Sequence, residues 1–163
     1  MAARDTPGMM PEPYPFLPDQ DPAPVLALIR DAFAYMQGRI DPPSSMERLT
    51  EDDIRTQARQ GEVWLIGQPL QACVFFIRKP DALYIGKLAT DAAHRRKGLS
   101  RRLIALAESR ARAMGLTALE LQSRIELLEN HAAFTAMGFV KTAETAHPGY
   151  DRPTIFTFRK ALA

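Results

Sequence analysis

The chain has little cysteine, no long apolar run and no strong excess of either charge. Cys73 is the only cysteine among the 163 residues, which excludes a disulfide within the chain. Its apolar neighbours are typical of a small buried side chain rather than of a reactive thiol. The three histidines, His94, His131 and His147, lack metal-ligand spacing, so no metal is predicted. With 46% hydrophobic residues, the expected source of stability is a hydrophobic core.

The composition predicts neither a membrane partner nor a nucleic-acid partner. No run approaches the roughly 20 apolar residues that span a bilayer, and the N-terminus lacks the apolar stretch of a signal peptide, so we expect a cytoplasmic protein. The 21 basic and 19 acidic residues give a net charge of only +2. One basic cluster leaves nucleic-acid binding as an alternative, which the lack of interleaved aromatic residues disfavours. Its members are Arg95, Arg96, Lys97, Arg101 and Arg102.

Two segments differ in composition. Residues 1–20 are rich in proline and are expected to be extended, with an edge strand at residues 14–17. Residues 21–163 carry the regular apolar patterns of a single domain. We therefore expect one folded unit preceded by a short proline-rich segment.

Four helices are predicted from apolar residues that recur at helical spacing. The second begins with a capping box, in which Thr50 and Asp53 satisfy each other's backbone N–H groups. Asp21 is a candidate cap of the first helix, and glycines end the first three. The predicted helices cover residues 24–38, 51–60, 99–114 and 128–137.

Six short runs of apolar and β-branched residues are predicted as strands. Turn residues separate the first three runs, which indicates an antiparallel meander. The helix between the third and fourth runs is long enough to return the chain to a parallel neighbour. The predicted strands cover residues 63–66, 72–78, 83–89, 118–122, 139–143 and 154–159.

A basic turn containing one glycine lies between the third strand and the long helix, at residues 95–101. The first turn of a helix has unpaired N–H groups and the positive end of the helix dipole, an arrangement that binds phosphate. Gly98 permits close approach of the backbone, and the small Ser100 leaves space beside it. On charge alone the segment is more typical of a solvated basic turn, and its position favours the phosphate site. A Walker loop and a Rossmann fingerprint are both excluded by the single glycine.

Residues 88–101 resemble the acetyl-CoA motif of GNAT acetyltransferases, whose core is Arg/Gln-x-x-Gly-x-Gly/Ala. Arg95 and Gly98 match this core, whereas Ser100 takes the place of the second Gly or Ala. Residues 133–139 are similar to the later helix of the family, which ends in a Gly-Phe pair. The resemblance covers approximately residues 63–159, while the N-terminal third matches only in its helix pattern.

The resemblance implies an α/β fold with a mixed sheet of about seven mostly antiparallel strands, a splayed central parallel pair and about four flanking helices. It also implies acetyl-CoA as co-substrate. The backbone groups of Leu88, Ala89 and Thr90 are then expected to bind the pantetheine arm and the acyl carbonyl. The pyrophosphate turn and two residues of the later helix complete the expected cofactor site. These residues are Arg95, Arg96, Lys97, Gly98, Leu99, Ser100, Arg101, Asn130 and Phe134.

The usual acid and base of the family are missing from their expected positions. Many members have a tyrosine where this chain has Phe134, and a glutamate where it has Gln122. One alternative is that these roles are dispensable, because coenzyme A thiolate is a tolerable leaving group and water can carry the amine proton. The other is that they have moved, and we hypothesise that Tyr150 and Glu126 are then the catalytic residues, with Glu126 as the base. The alternatives are a packed turn residue for Tyr150 and a solvated loop carboxylate for Glu126.

The acceptor site is expected, from the resemblance, near the variable loop between the first two helices. Tyr35, Met36 and Arg39 would contribute to it together with Ile40, and helix packing is the alternative for Tyr35 and Met36. The predicted function is transfer of an acetyl group from acetyl-CoA to a primary amine of a small molecule or peptide, by direct attack without a covalent enzyme intermediate. The alternative is a non-catalytic acyl-CoA-binding or regulatory module. The resemblance also allows a homodimer.

Overall fold

The structure, a computed structural model, describes residues 11–163. Residues 1–10, half of the predicted proline-rich segment, lie outside the described residues. The predicted edge strand is present but short, because β1 (Tyr14–Pro15) pairs antiparallel with β2 (Glu62–Ile66) over two residues only. The backbone N–H of Phe16 extends this contact by donating to the carbonyl of Val63 at 2.8 Å.

Within residues 11–163, seven strands form one mixed sheet, as predicted. The other five are β3 (Ala72–Arg78), β4 (Leu83–Thr90), β5 (Ala118–Arg124), β6 (Val140–Thr145) and β7 (Ile155–Ala161). The strand order is β1-β2-β3-β4-β5-β7-β6. β2, β3 and β4 form the predicted antiparallel meander, and β4 pairs with β5 in the parallel sense that the intervening helix predicts. β7 is antiparallel to both of its neighbours.

In the described part of the chain, four α-helices accompany the sheet: α1 (Ala23–Phe33), α2 (Glu51–Gln60), α3 (Leu99–Ala113) and α4 (Leu128–Ala136). The predicted capping box of α2 is confirmed. The hydroxyl of Thr50 accepts from the N–H of Asp53 at 3.1 Å, and the Asp53 carboxylate accepts from the N–H of Thr50 at 2.9 Å. Ile54 is the one buried residue of α2, so the cap contributes much of what holds this short helix.

The first helix is shorter than the sequence predicts. α1 ends at Phe33, and residues Ala34–Met36 tighten into a 3₁₀ turn that buries the side chain of Met36. The left-handed Gly38 (φ +77°) follows this turn. Asp21 accepts a hydrogen bond from the N–H of Ala23 at 3.0 Å, one position before the residue that caps the helix. Because the helix stops early, the chain leaves its axis at residue 34 and continues along the cleft described below.

Each face of the sheet carries its own hydrophobic core. On one face, Leu103 of α3 packs in a cluster with Leu119 of β5. On the other face, Ile29 of α1 and Ile54 of α2 belong to a second cluster. Cys73 lies in this second cluster and is fully buried, as its apolar neighbours predict. The sheet is therefore anchored from both sides.

β4 contains a bulge in its second half. Cys73 of β3 lies opposite Ala89, whereas Phe75 lies opposite Gly86, so β4 has one residue more than β3 between these pairs. The extra length coincides with Lys87, whose φ of +50° is unusual for a residue with a side chain. The bulge bends β4 away from the path it follows in its first half.

β4 and β5 are paired along only part of their length. The parallel pairing joins residues 83–85 to residues 119–121 and goes no further. Beyond this point β5 remains paired with β7 as far as Arg124 and Ile155, while residues 86–90 of β4 stay with β3. The central pair is therefore splayed, as the resemblance implies, and the gap opens toward the start of α3.

Candidate active site

A cleft of about 1260 Å³ opens where β4 and β5 separate. It extends from the turn between β4 and α3 to the chain between α1 and α2. The residues predicted for the cofactor and for the acceptor therefore border one continuous space, with a few exceptions named below. Continuity of the two halves is what a transfer reaction between two substrates requires.

The turn before α3 has two residues in the left-handed conformation, Arg96 (φ +63°) and Gly98 (φ +79°). Gly98 caps α3, and its carbonyl accepts the N–H of Arg102 at 3.0 Å, so the helix starts directly at the turn. Left-handed residues within a turn direct successive N–H groups to one side, which favours a concave anion-binding surface. The buried Leu99 anchors the helix beneath this surface. The turn thus combines a concave backbone with the positive end of the α3 dipole.

Four basic side chains of the turn are exposed and have no ion-pair partner within residues 11–163. By contrast Arg102, further along α3, pairs with Glu12. Three of the four line the cleft, and Lys97 does not. Uncompensated cations at the mouth of a cleft favour a polyanionic ligand. The four residues are Arg95, Arg96, Lys97 and Arg101.

The second half of β4 is held to the sheet by one edge only. On the β3 side, the Cys73 thiol donates to the carbonyl of Lys87 at 3.5 Å, in addition to the backbone pairing. On the other side β5 has separated, so backbone groups along this edge are available to an elongated ligand. The predicted residues of this segment all line the cleft: Leu88, Ala89 and Thr90.

These features fit the co-substrate that the resemblance implies. The concave turn and its unpaired cations suit a diphosphate, and the open strand edge suits the amide groups of a pantetheine arm. Residues 88–90 and 95–101 are the part of the chain that would hold such a molecule. Bound there, it would supply the activated acyl group, and the chain would supply orientation and backbone donors.

Asn130 and Phe134 of α4 line the opposite wall of the cleft. The Phe134 ring lies 6.1 Å from that of Phe139 and 5.9 Å from that of Phe158, between ring centroids. The side-chain amide of Asn130 donates to the hydroxyl of Tyr35 at 3.2 Å. Phe134 is therefore held by aromatic packing, whereas Asn130 joins α4 to the predicted acceptor side.

We call residues 35–43 the strap, because this segment borders the acceptor side of the cleft and contacts its far wall. Tyr35 and Met36 line the cleft, as do both prolines of the strap, Pro42 and Pro43. Arg39 does not line it, because its guanidinium forms an ion pair with Glu129 at 2.7 Å. The contribution of Arg39 to the acceptor side is therefore to attach the strap to α4.

Neither Tyr150 nor Glu126 is among the residues that line the cleft. The Tyr150 hydroxyl donates to the carboxylate of Asp41 at 2.6 Å, and this hydrogen bond raises the pKa of Tyr150. The Glu126 carboxylate accepts the backbone N–H of Asp41 at 3.0 Å. Both side chains therefore contact the strap, while the second carboxylate oxygen of Glu126, Oε1, is buried and has no hydrogen-bond partner within residues 11–163.

The loop between β6 and β7 contributes His147 to the cleft wall. The backbone N–H and the Nδ1 of His147 both contact the hydroxyl oxygen of Thr154, at 2.9 Å and 2.6 Å, and Thr154 is fully buried. Burial lowers the pKa of His147 and the nearby positive charge of Arg124 lowers it further, with Glu126 acting in the opposite direction. The imidazole is therefore neutral near pH 7. Sequence reasoning singled out this loop but not this residue, since a lone histidine in a turn has no pattern.

Tyr84, Gln122 and Arg124 are further cleft residues at the splayed strands. Burial raises the pKa of Tyr84, and the neighbouring Glu120 raises it further, so the phenol keeps its proton at neutral pH. The signal that could have identified Tyr84 is the period of two along a strand, which puts it on the same face as Gly86. Gln122 lines the cleft at the position where the resemblance implies a glutamate as the base, so the cleft has no carboxylate at this position.

Comparison with known proteins gives a consistent result. A family model described as Acetyltransferase (GNAT) family matches residues 25–139, more than half of the chain. An acetyltransferase from Streptococcus agalactiae superposes with a TM-score of 0.70 at 19% identity, covering 93% of this chain and 98% of that one. A Bacillus subtilis acetyltransferase in complex with CoA gives 0.68 at 14% identity, covering 94% and 99%. The ribosomal-protein-S18-alanine N-acetyltransferase from Escherichia coli gives 0.66 at 16% identity, covering 94% and 95%. A search of curated protein sequences finds no match.

Residues 11–163 contain neither a membrane-spanning helix nor a cluster of metal ligands. That part of the chain contains no helix both long and apolar enough to cross a bilayer. It also contains no group of three or more histidine, cysteine or acidic side chains arranged to hold a metal ion.

Proposed function

Because the chain belongs to the GNAT acetyltransferase family, we propose that it transfers an acetyl group from acetyl-CoA to an amine by direct attack of the amine on the thioester. The observation that carries this proposal is the open edge of β4 at residues 86–90, which is followed, after the 3₁₀ turn Ala92–His94, by the turn at Gly98. A phosphate site and a free strand edge in one line suit the two ends of a single long acyl donor.

The chain's own contribution to the reaction is orientation and electrostatic stabilisation. Backbone N–H groups on the open edge of β4 would hold the acyl carbonyl and stabilise the negative charge that develops on its oxygen. Fixed backbone donors of this kind contribute about 3 kcal/mol of barrier reduction each in acyl-transfer enzymes. No side-chain nucleophile is needed, because the amine itself attacks.

We propose that Tyr150 and Glu126 act through Asp41 as positioning residues rather than as the acid and base. Both are bound to the strap, at 2.6 Å and 3.0 Å. Tyr84 and His147 are better situated for proton transfer, because they line the cleft and hold their neutral forms near pH 7.

A non-catalytic acyl-CoA-binding module is the second candidate, and one observation favours it. Phe134 fills the position of the usual acid, and its ring is packed against two other phenylalanines. A measurement of turnover distinguishes an acetyltransferase from a binding module. A binding module would bind acetyl-CoA without releasing CoA thiol in the presence of a broad panel of amines.

The proposal is tested by calorimetric titration of acetyl-CoA into the wild type and two glycine variants. Gly98 (φ +79°) and Gly115 (φ +75°) flank α3 with nearly the same left-handed conformation. Gly98→Ala and Gly115→Ala therefore carry similar backbone strain, of about 1 kcal/mol. Only Gly98→Ala alters the proposed phosphate turn. We expect it to weaken acetyl-CoA binding by about tenfold or more, because the added Cβ would hold the diphosphate away from the backbone and weaken a charge-assisted hydrogen bond. Gly115→Ala should leave binding unchanged.

Equal weakening in both variants would indicate a general loss of stability and would count against the turn as the phosphate site. No binding by the folded, ligand-free wild type would refute the proposed function.

A further inference from the structure

The strap is fixed at both ends and stiff in the middle. Met36 at its start is buried, with 8% of its surface exposed, and Leu49 beyond its end is buried at 6%. Pro42 and Pro43 restrict the backbone between these anchors. The hydroxyl of Ser44 then accepts the N–H of Met46 at 3.1 Å and starts a short 3₁₀ turn, Ser45–Arg48. The strap is therefore a defined wall of the cleft.

Six polar contacts join the strap to the opposite side of the cleft. Asp41 makes three of them, since its N–H donates to Glu126 and its carboxylate accepts from Tyr150 at 2.6 Å and Arg152 at 3.1 Å. The remaining three involve Tyr35 with Asn130 at 3.2 Å, Arg39 with Glu129 at 2.7 Å, and the Pro43 carbonyl with Arg124 at 3.0 Å. The partners lie at the end of β5, at the start of α4 and in the β6–β7 loop. The strap consequently bridges from α1 to the other half of the sheet.

This bridge determines which acceptors can reach the cleft. A polypeptide acceptor needs an open groove for the chain that continues from its reacting amine, on one side of an N-terminal residue and on both sides of an internal lysine. The fastened strap occupies the line along which such a groove would run between α1 and the β6–β7 loop. A small amine needs only to fit within the cleft itself.

The side chains that line the acceptor side of the cleft restrict the class of acceptor further. Much of this lining is apolar, and its charged side chains include Arg48, Arg124 and the carboxylate of Glu47. Glu47 has no ion pair within residues 11–163, so this side offers one free carboxylate against two cations, which suits a single ammonium group better than a polycation. The acidic Asp41 and Glu129 of this region are already paired with arginines. The apolar part of the lining includes Ala32, Phe33, Tyr35, Met36 and Met46.

We infer that the acceptor is a small monoamine with an apolar body, and that the fastened strap excludes polypeptides. This inference rests on the proposed acetyltransferase function and specifies its acceptor. The acyl transfer needs no reactant besides the thioester and the amine. The amine nitrogen forms a bond to the acyl carbon, the C–S bond breaks with its electron pair on sulfur, and the nitrogen loses one proton while the thiolate takes one up.

The test compares kcat/KM for three acceptors: phenethylamine, spermidine and a hexapeptide with a free N-terminus and a lysine. For the wild type we expect phenethylamine to exceed the other two by at least about tenfold, equivalent to about 1.4 kcal/mol. Asp41→Ala removes two side-chain contacts of the strap and should raise the peptide value several-fold. The matched control is Asp151→Ala, since Asp151 is an exposed aspartate of the same loop as Tyr150.

Hydrogen exchange supplies a readout that does not depend on turnover. Three backbone amides of the strap donate hydrogen bonds: Gln37 to Ala34 at 3.1 Å, Arg39 to Met36 at 3.0 Å and Asp41 to Glu126 at 3.0 Å. They should be protected in the wild type and in Asp151→Ala, and should exchange faster in Asp41→Ala. Peptide or spermidine acetylation at or above the phenethylamine rate would overturn the inference while supporting the proposed function. Rapid exchange of these amides in the wild type would overturn it independently. Bound acetyl-CoA that releases no CoA thiol in the presence of any of the three acceptors would instead refute the catalytic function on which the inference rests.

Discussion

The hydroxyl of Tyr150 donates a 2.6 Å hydrogen bond to the carboxylate of Asp41, across 109 positions of sequence. This contact joins the β6–β7 loop to the strap, and it uses the one proton that Tyr150 has to give. The hydrogen bond to an anion also raises the pKa of the phenol, so Tyr150 is a poorer acid than an isolated tyrosine. The residue predicted as catalytic from sequence is thus engaged in holding a wall of the cleft.

Tyr150→Phe should therefore impair acceptor binding more than chemistry. The variant loses one hydrogen bond to a charged group, so we expect the acceptor KM to rise by about 5- to 20-fold with kcat changed less than about threefold. Steady-state kinetics with the best small amine measures both. Tyr14→Phe is the matched control, because the Tyr14 hydroxyl donates to the Gly67 carbonyl at the far edge of the sheet. A fall in kcat of about 100-fold at unchanged KM would restore a role for Tyr150 as the acid.

His147 should titrate below the ordinary histidine value of 6.5, since burial and the charge of Arg124 both disfavour its protonated form. Two-dimensional NMR of the imidazole signals over pH 4 to 8 measures this, and His147→Gln identifies the resonance. A lowered folded pKa means that the unfolded chain binds the proton more readily. The group therefore costs stability as pH falls below about 6.5, and that loss is complete below the folded value. A midpoint above 6.5 would show that the environment of His147 is not the one described.

Cys73 should be unreactive in the folded protein. Burial raises the pKa of its thiol to about 12, and the side chain is fully enclosed. At pH 8 the thiolate fraction is then on the order of 10⁻⁴. Iodoacetamide should label the protein only after denaturation, as followed by intact mass. Labelling of the native protein within minutes would reveal frequent local opening of the bulged part of β4, which the thiol contacts through the carbonyl of Lys87.

Glu62 should make stability depend on pH in the acid range. Its carboxylate accepts from Trp64 at 2.8 Å and from Arg110 at 2.7 Å. Burial alone would raise the pKa of Glu62, but these hydrogen bonds outweigh it and the pKa lies below its usual 4.5. The stabilisation is therefore present above pH 4.5 and is lost as pH falls through the lower folded pKa.

Glu62→Gln should lower Tm by about 2–4 °C at pH 7, as expected for about 1 kcal/mol in a partly exposed pair, and by much less at pH 3. Thermal melts followed by the fluorescence of Trp64, the only tryptophan in the sequence, measure the difference. Glu144→Gln removes an exposed pair with Lys141 and should change Tm little at either pH. A Tm difference for Glu62→Gln that is the same at pH 7 and pH 3 would contradict the assigned cause.

The elements that the sequence predicts well are those decided by local chemistry. The capping box at Thr50 fixes the start of α2, and the change from period two to helical spacing after Gly98 fixes the start of α3. Both predictions involve residues a few positions apart. The end of α1 was predicted less well, because the burial of Met36 draws the chain into a 3₁₀ turn before Gly38 is reached.

In the candidate site, too, the features decided by local sequence could be predicted and those decided by distant residues could not. The turn at Gly98 could be predicted because a glycine between a strand and a helix has a local meaning. The contacts of Asp41 with Tyr150 and Arg152 could not, since each joins residues more than 100 positions apart. His147 was missed for a similar reason, because Thr154 and Arg124 give it its character and neither is near it in a recognisable motif.

The short parallel pairing of β4 with β5 has a mechanical consequence. Three residues of each strand carry the whole backbone connection between one half of the sheet and the other. A chain of amide groups lying along the free edge of β4 would supply the missing rungs of this ladder and tie the halves together. Under the proposed function, an acetyl-CoA molecule bound along this edge would act as a temporary strand that joins the two halves of the sheet. Binding of the donor would then also make the sheet more rigid. Release of CoA would return the two halves to their three-residue connection before the next donor binds.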